Sequence, residues 1–360
     1  MALSKPVQLA LRWLFKNPLP IRGVCDIIKG YSSWFQGVHY KTIATTHSNT
    51  TLVPLDNGRV ATGSRDGMVR VWDTDTGVCL LSLAGHTHMV SALAVLGNGA
   101  IASGSWDQTV KVWDPVKGAC LLTLTGHTEP VDVLCALNDG KLASGSYDQT
   151  VRVWDTNTGA YLLTLVGHPE LVNVLCALSD GKLASASYAR TVRVWDIDTG
   201  ACLLTLEGHA RAVNVLCALS DRRVASGSYD QTVRVWNTDT GACLMTLAGH
   251  TSNVIALVVL SDHKLASGSY DKKVKVWDTN TGACLLTLAG HTSSVDALAV
   301  LCDGKLASSS YDQTVRVWDT DTGTCWLTLV QTSCVPRALA VLSDGKLVSG
   351  SIDGSMFIWH

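Results

Sequence analysis

The sequence has little charge and little proline. Charged residues make up 16% of the 360 residues and hydrophobic residues 47%, which excludes an intrinsically disordered chain, because such chains are polar and highly charged. With only eight prolines and no long amphipathic helical stretch after residue 45, the chain beyond that point is expected to be all-β. These deficits indicate a globular protein with a well-buried core.

The small net charge of −2 conceals an uneven distribution along the chain. Residues 1–45 carry six basic residues and one acid, so this segment has a net charge of about +5. The rest, with 22 basic and 29 acidic residues, has a net charge of about −7. Because nucleic acids are bound mainly through clustered Lys and Arg, we do not expect this acidic body to bind nucleic acid.

Twelve cysteines are present, but no CxxC pair that would indicate a zinc or thiol-exchange site. Nine of them fall on two lattices of 41-residue spacing, Cys79, Cys120, Cys202, Cys243, Cys284 and Cys325 on one and Cys135, Cys176 and Cys217 on the other. Equivalent positions in successive units suggest small apolar residues of a reduced core rather than disulfide partners. We therefore expect no metal, no cofactor and an intracellular, cytoplasmic location.

Eight tryptophans recur every 41 residues without an insertion: Trp72, Trp113, Trp154, Trp195, Trp236, Trp277, Trp318 and Trp359. A fixed period near 40 marks a repeat architecture, in which one unit cannot bury its apolar face alone. In the unit Gly126–Val166, alternating apolar segments between turn residues predict four strands. These strands are Val131–Leu137, Lys141–Ser146, Thr150–Asp155 and Tyr161–Leu165.

Most units combine Gly-His, a segment such as Ala-Ser-Gly-Ser-Tyr-Asp, and Trp-Asp, and the pattern recurs in full or in part eight times. This pattern resembles the WD40 repeat, and the resemblance covers about residues 38 to 360. It implies an all-β, eight-bladed propeller that is not an enzyme and that binds other proteins.

The eighth unit ends after its third strand, at Ile358-Trp359-His360, which would leave an open sheet edge. The β-branched stretch Val38–Ile43 has the length to supply the missing strand, and WD40 proteins usually close in this way. The predicted organisation is therefore a leader over residues 1–37 and a propeller over residues 38–360, with residues 38–43 completing blade eight.

Histidine, serine and aspartate recur together, which invites a hydrolase interpretation. A nucleophile and its base are needed once, however, and this set occurs five times. The resemblance instead implies structural tetrads that also contain the repeat tryptophan. Their His, Asp and Trp members are His86, Asp107, Trp113; His127, Asp148, Trp154; His209, Asp230, Trp236; His250, Asp271, Trp277; and His291, Asp312, Trp318.

Three units depart from the tetrad pattern. Blade four has Ala189 in place of the aspartate, blade eight has Gln331-Thr332 in place of Gly-His, and blade one has Thr45 in place of the histidine. We expect these units to be the least rigid. These departures either have a functional reason or reflect sequence drift, which a unit tolerates when its neighbours support it.

In WD40 proteins partners commonly dock on the top face, which is formed by the loop entering strand one and the turn between strands two and three. The residue before the tetrad aspartate projects there: Arg65, Trp106, Tyr147, Tyr188, Tyr229, Tyr270, Tyr311 and Ile352. Exposed Tyr and Trp are favoured interface anchors, although duplication of one tolerated tyrosine would give the same pattern.

A second set of top-face positions, five residues after each histidine position, varies between otherwise similar units: Thr50, Ser91, Asp132, Asn173, Asn214, Ile255, Asp296 and Arg337. Diversification of a binding face would produce this variation, as would relaxed constraint on a loop. We predict partner contacts at Asp132, Asp296 and Arg337, with an extended peptide or loop over the channel mouth and an acidic group near Arg65 and Arg337.

The leader segment Pro6–Lys16 has polar residues at four-residue intervals and apolar residues between them, which predicts a helix with a broad apolar face. It is too short to span a bilayer. Three roles remain open: docking on a partner subunit, contact with a membrane surface, and targeting to a mitochondrion or plastid.

The function that this pattern favours is a non-catalytic scaffold or assembly subunit of a larger complex. A substrate receptor of a ubiquitin ligase is the alternative, because Leu19-Pro20 resembles the start of an F-box. The glutamate expected soon after that pair is missing, and no Trp-Asp is followed two residues later by the arginine of cullin-type receptors.

Overall fold

The structure is a computed structural model that describes residues 40–43, 48–261, 263–331, 334–351 and 353–359. These residues form 32 strands and no helix. Residues 42–358 belong to one compact unit, which contains most of the eight sheets described below. Tyr40, Lys41 and Trp359 fall in a second unit, in which the rings of Tyr40 and Trp359 lie 5.2 Å apart. The predicted leader helix lies outside the described residues.

The strands in chain order are β1 (Tyr40–Ile43), β2 (Asn49–Leu55), β3 (Arg59–Ser64), β4 (Val69–Asp73), β5 (Cys79–Leu83), β6 (Val90–Val95), β7 (Ile101–Ser105), β8 (Val110–Trp113), β9 (Cys120–Leu124), β10 (Val131–Ala136), β11 (Lys141–Ser146), β12 (Thr150–Asp155), β13 (Tyr161–Val166), β14 (Val172–Ala177), β15 (Lys182–Ser187), β16 (Val192–Asp196), β17 (Cys202–Leu206), β18 (Val213–Leu219), β19 (Arg223–Ser228), β20 (Thr232–Asn237), β21 (Cys243–Ala248), β22 (Val254–Ser261), β23 (Lys264–Ser269), β24 (Lys273–Asp278), β25 (Cys284–Ala289), β26 (Val295–Val300), β27 (Leu306–Ser310), β28 (Thr314–Trp318), β29 (Cys325–Val330), β30 (Pro336–Val341), β31 (Leu347–Ser351) and β32 (Met356–Trp359).

These strands form eight four-stranded sheets, or blades. Blades one to seven each use four consecutive strands, from β2–β5 in blade one to β26–β29 in blade seven, and blade eight has the order β1-β32-β31-β30. The first strands of neighbouring blades contact each other, and the cycle closes where β30 meets β2. The first strand of each blade is therefore the innermost, and the eight blades form a closed ring. The expected propeller is confirmed.

The predicted strands of the third blade are confirmed to within one residue at every end. The second and third strands, β11 and β12, have the predicted bounds, whereas β10 ends at Ala136 and β13 extends to Val166. The prediction succeeds because turn residues separate the strands, and because β12 alternates as a period of two requires, with Val151 and Val153 fully buried on one side of it.

Apolar cores lie between adjacent blades rather than within one blade. In one of them, Val151 and Leu165 of blade three pack with Val172, Leu175 and the repeat tryptophan of blade four. Burying a side chain of this size stabilises the fold by about 1.5–3 kcal/mol, and a single blade would leave it in water. Each blade therefore depends on its neighbours, as in other repeat architectures.

The predicted ring closure is confirmed for the described part of the closing strand. Ile43 of β1 is buried beside Met356 and Ile358 of β32, in a core that also contains Val60 and Trp72 of blade one. Chain segments from both ends of the sequence thus complete blade eight and seal it against blade one.

Lysine–aspartate pairs also link neighbouring blades, on the side where strands three and four are joined. Lys182 Nζ lies 2.9 Å from Asp239 of the following blade. Lys346 of blade eight lies 2.5 Å from Asp75 of blade one, so this series of contacts crosses the ring closure. Exposed pairs of this kind contribute little stability individually, about 0–1 kcal/mol.

The prediction that the first cysteine lattice fills the core is wrong. Five of its six members, Cys120, Cys202, Cys243, Cys284 and Cys325, are exposed. They begin the fourth strand, which is the outer edge of each blade and has one face in solvent. A strict period identifies equivalent positions in the blade, but it does not show whether those positions are buried.

Placing a charge at the closure should destabilise the protein. We expect Ile43→Asp to lower the free energy of unfolding by about 3 kcal/mol or more, because the carboxylate would be buried among apolar side chains without a partner. The control is Thr42→Asp on the exposed side of the same strand, expected within about 0.5 kcal/mol of the parent. Urea unfolding measures both variants, and equal midpoints would contradict the closure.

Candidate functional site

A chain of hydrogen bonds links three parts of each complete blade. In blade five, Trp236 Nε1 donates to Ser226 Oγ at 2.7 Å, and Ser226 Oγ lies 2.7 Å from His209 Nε2. His209 Nδ1 lies 2.7 Å from Asp230 Oδ2, which also accepts the backbone N–H of Ala210 at 2.9 Å. The tetrad therefore joins strand two, strand three and the loop that enters the blade.

The five predicted tetrads have the same geometry. Their histidine Nδ1 and aspartate Oδ2 atoms lie 2.7–2.9 Å apart in the pairs His86–Asp107, His127–Asp148, His209–Asp230, His250–Asp271 and His291–Asp312. Each indole donates to the shared serine, from Trp113, Trp154, Trp236, Trp277 and Trp318 respectively.

Burial and the available donors together indicate the protonation state of the tetrad. An indole can only donate, so Ser226 accepts that bond. Burial lowers the pKa of His209 despite the Asp230 carboxylate, which favours the neutral imidazole. With His209 neutral, its Nδ1–H donates to Asp230 and its Nε2 accepts the hydroxyl hydrogen of Ser226. Burial raises the pKa of Asp230, but hydrogen bonds from Thr232 and His209 outweigh it and set the pKa at about 2.

The tetrad serine is not placed to act as a nucleophile. Ser226 has no exposed surface, and its oxygen already accepts a hydrogen bond from the tryptophan. A nucleophile must reach a substrate and an oxyanion site, which a buried hydroxyl between two strands cannot do. The arrangement satisfies buried polar groups and holds the entry loop against the sheet.

Glycine before the tetrad histidine is required by close packing. A Cβ on Gly208 would lie 2.7 Å from Nη1 of Arg234 and 3.3 Å from the Trp236 ring, and its φ of 152° also favours glycine. The Arg234 guanidinium lies over that ring, 5.8 Å from its centroid. The Gly of Gly-His is therefore explained by the arginine and indole beneath it.

Blade four retains three of the four tetrad members. His168 Nε2 lies 2.6 Å from Ser185 Oγ, which also accepts the Trp195 indole N–H. Since Ala189 replaces the aspartate, the buried His168 Nδ1 has no hydrogen-bond partner among the described residues. Burial, and to a lesser degree the charge of Arg193, lowers the pKa of His168 to about 4.

Blade eight uses a substitute that the sequence pattern did not identify. Gln331, at the glycine position of Gly-His, is fully buried. Its Nε2 donates to Ser349 Oγ, and its Oε1 accepts from Ser351 Oγ at 3.0 Å. The glutamine amide thus makes the hydrogen bond to Ser349 that a histidine makes to the equivalent serine in the complete tetrads. The sequence signal for this substitute is Gln331 itself, a large polar residue at a position where close packing requires glycine in the other blades.

Blade one also satisfies its aspartate differently. Arg70 Nη2 lies 2.6 Å from Asp66, and Ser64 Oγ donates to the same carboxylate at 2.5 Å. Burial raises the pKa of Asp66, but the hydrogen bonds from Arg70 and Ser64 lower it to about 2. The threonine at the histidine position, Thr45, lies outside the described residues.

Most of the aromatic residues predicted on the top face are exposed there. Trp106, Tyr188, Tyr270 and Tyr311 are 36–46% exposed, and Tyr147 and Tyr229 are half-buried. We call these six residues the aromatic arc. The backbone N–H of each bonds to a carbonyl of the entry loop, for example that of Tyr229 to Ala212 O at 3.0 Å. Ile352 lies outside the described residues.

Neighbouring members of the arc are close enough to affect each other. The ring centroids of Trp106 and Tyr147 lie 6.1 Å apart. Burial raises the pKa of Tyr270, and Tyr229, Asp296 and Tyr311 raise it further. The arc is therefore a continuous surface over blades two to seven rather than six separate rings.

A polar cavity of about 250 Å³ occupies the part of the top face that the arc leaves open. Its lining includes Arg65, Met89, Asp132 and Arg337. Burial raises the pKa of Asp132. Arg337 stacks on Tyr311 at 5.2 Å and lies 3.6 Å from Asp296, whereas Arg65 is exposed. The predicted Arg65, Asp132 and Arg337 are thus brought together.

The varying second set includes residues that hold blades together. Asn173 Nδ2 donates to Val213 O of the next blade at 3.1 Å. The hydroxyls of Thr50 and Ser91 donate in the same way to Val90 O and Val131 O. Asp132 and Asp296 occupy the equivalent positions, where an ionised carboxylate cannot donate. Some of the variation at these positions is therefore explained by contacts between blades rather than by partner binding, which was not expected from the sequence.

Among the described residues, no group of three or more His, Cys, Asp or Glu side chains could hold a metal ion. The described part of the chain also contains no helix with the length and hydropathy needed to cross a bilayer.

The ring of eight sheets and its repeated tetrads define the class of the protein, a closed β-propeller built from tryptophan-containing repeats. The family model described as "WD domain, G-beta repeat" matches residues 40–73, 77–114, 118–155, 159–196, 200–237, 241–278, 282–319 and 323–360. The chain belongs to the WD40 family. Its fold is typical of protein-interaction scaffolds, and WD40 propellers are generally non-catalytic interaction domains.

Many solved structures are similar to the chain, including the following two. The computationally designed Ika8 protein is 36% identical, with a TM-score of 0.81, and the match covers 88% of this chain and 97% of that one. The WD40 beta propeller domain of Doa1 is 24% identical, with a TM-score of 0.63 and coverage of 90% and 97%, and it shares the fold. The comparison with curated proteins finds no match.

The buried histidines should make the fold sensitive to acid. Because His168 has a pKa of about 4 when folded and about 6.5 when unfolded, only the unfolded chain takes up its proton between these values. Stability should therefore fall as the pH drops below about 6.5. We expect His168→Gln to reduce the proton uptake on unfolding at pH 5 by about one proton.

The control for this measurement is His88→Gln, since His88 is exposed on a top-face loop. Denaturation midpoints between pH 4 and 8 give the proton uptake from the slope of stability against pH. Equal slopes for His168→Gln and the parent would show that His168 titrates alike in both states.

Repairing the blade-four tetrad should stabilise the protein. The double variant Ala189→Asp/Arg190→Gln reproduces the Asp-Gln pair of blade five and gives His168 Nδ1–H an acceptor. We expect an increase in unfolding free energy of about 1–2 kcal/mol. Arg190→Gln alone, which leaves Nδ1 unpaired, is the control in the same urea titration. A double variant no more stable than this control would contradict the missing-acceptor explanation.

Proposed function

We propose that this protein is a non-catalytic scaffold or assembly subunit that binds an extended peptide or loop of a partner protein on the top face. The observation that supports this most directly is the aromatic arc. Six Tyr or Trp side chains border the same face, and four of them are more than a third exposed. Aromatic residues of this kind are frequent anchors of protein interfaces, because they bury a large area at a small entropic cost.

The cavity beside the arc supports a preference for a partner segment that carries an acidic side chain. Arg65 is exposed at the cavity and has no ion-pair partner among the described residues. Arg337 is held in place by Tyr311 and Asp296. An acidic group entering here would meet two guanidinium groups at one end of an apolar surface. Asp132, on the same cavity, disfavours a segment with several acids at this point.

The role of residues 1–37 is inferred from their amino-acid sequence. We propose that residues 1–37 dock on a partner subunit through the apolar face of the predicted helix, with membrane contact and targeting as the alternatives. Removing residues 1–37 and comparing the proteins that co-purify tests this part separately from the top face. Co-purified ligase components would instead favour the substrate-receptor function.

Changing three members of the arc should abolish partner binding without unfolding the ring. We expect Tyr147→Ala/Tyr229→Ala/Tyr311→Ala to lose a partner that co-purifies with the parent, because the largest apolar contacts of the face are removed. The melting temperature should stay unchanged. Affinity purification with quantitative mass spectrometry measures the recovery.

The matched control is Tyr161→Ala/Trp326→Ala, which removes aromatic residues that are 50% and 59% exposed on outer strands. This variant should retain the partner. Unchanged partner recovery with the triple variant, or equal loss with the control, would overturn the assignment of binding to the top face.

A further inference from the structure

Three cysteines on the outer strands each contact an arginine of the neighbouring third strand. Nη1 of Arg193 lies 3.5 Å from Cys202 Sγ, and Nη1 of Arg234 lies 3.6 Å from Cys243 Sγ. The third contact, between Arg316 Nη1 and Cys325 Sγ, is also 3.6 Å. All three cysteines are exposed on the outer rim of the ring. We call these contacts the rim pairs.

The arginine of each rim pair is held rigidly. The guanidinium of Arg234 lies over the Trp236 ring on one side, and Gly208 covers the other so closely that a Cβ there would be 2.7 Å from Nη1. Arg193 and Arg316 have the same surroundings, with rings at 5.8 and 5.9 Å. The charge is therefore fixed beside the sulfur and does not sample solvent freely.

These arginines also lack a carboxylate partner. In the described part of the chain, arginine ion pairs involve other residues, namely Arg70, Arg222, Arg223 and Arg337. The Nε atoms of Arg193, Arg234 and Arg316 are buried without any acceptor. A partly desolvated guanidinium that is short of acceptors gains most from a negatively charged neighbour. The cysteine sulfur accepts a hydrogen bond from Nη1 of each guanidinium, and its own S–H donates to a backbone carbonyl two residues later.

We propose that Cys202, Cys243 and Cys325 are modification sites that react with small anionic disulfides of the glutathione type. The guanidinium donates to the sulfur and is held beside it, so its positive charge lies next to the atom that attacks the disulfide as a thiolate, the reactive nucleophile. The thiolate attacks one sulfur of the disulfide and forms a new S–S bond. The other sulfur leaves as a thiolate and takes the proton that the cysteine released. The fixed guanidinium also attracts the carboxylates of the incoming reagent.

The ring supplies its own controls for this proposal. Cys120 is exposed at the equivalent position of blade two, but Lys111 Nζ donates to Thr123 Oγ1 at 3.0 Å instead of contacting the sulfur. In blade one the equivalent cation, Arg70, is paired with Asp66. Cys120 therefore shares strand position and exposure with the rim pairs and differs in the cation contact.

The proposal is tested by limited reaction of the full chain with oxidised glutathione at pH 7. Timed samples are quenched with acid, and the modified fraction at each cysteine is measured by peptide mass spectrometry. We expect Cys202, Cys243 and Cys325 to react at least about fivefold faster than Cys120. With a neutral disulfide, hydroxyethyl disulfide, this ratio should become smaller. Equal rates at all four cysteines with oxidised glutathione would overturn the proposal.

A variant separates the arginine from other features of the blade. Arg234→Gln should slow the reaction at Cys243 to the rate at Cys120 and leave Cys202 unchanged, whereas Arg234→Lys should keep part of the acceleration. Cys202 in the same molecules reports any general loosening of the ring. If Cys243 reacts as fast in Arg234→Gln as in the parent, the guanidinium has no role and the proposal fails.

Discussion

The arrangement of the top face depends on the hydroxyl of one buried serine in each of the five complete tetrads. In blade five, Ser226 on strand two accepts from Trp236 on strand three and donates to His209 in the entry loop. Backbone pairing holds the strands together and ties the entry loop to the turn at Tyr229, whose N–H bonds to Ala212 O. The tetrad adds a side-chain link to the same loop, and Asp230 at its end follows Tyr229 directly in sequence. The position of the Tyr229 ring therefore depends on a buried hydrogen-bond chain as well as on backbone bonds.

Much of the fold could be predicted because its determinants are local and repeated. Turn residues, with two-residue alternation in β12, located the strands of blade three to within one residue, and counting strands in the eighth unit predicted the closure that Ile43 provides. The buried Gln331 could not be predicted in the same way. It stands one position before the expected histidine, and whether a side chain can enter from there depends on the space between two blades. The exposed cysteines were misjudged because a repeat period carries no information about which strand is outermost.

The candidate binding positions show a different limit. Variation among near-identical units singled out the second set of top-face residues, but variation alone does not distinguish a binding role from a structural one. Asn173 joins two blades through Val213, a contact that depends on the distance between separate sheets. Arg337 in the equivalent position points to Tyr311 and Asp296 instead. The distinction required the relative placement of adjacent blades, which no single repeat contains.

Because the units are nearly identical, the few residues that differ between them distinguish one side of the ring from the other. Seven blades could present the same tyrosine, and a partner bound by such a ring could sit in several rotational positions of equal energy. The arc stops at blade seven, and Arg337 and Arg65 follow in blades eight and one, beside a cavity that Met89 and Asp132 of blades two and three also line. Under the proposed function, an acidic side chain of a bound segment would be favoured beside this pair of guanidinium groups. Arg190 and Arg211 are exposed in the corresponding loops of blades four and five, so the blades that depart from the repeat place positive charge at two separate parts of a nearly symmetric face.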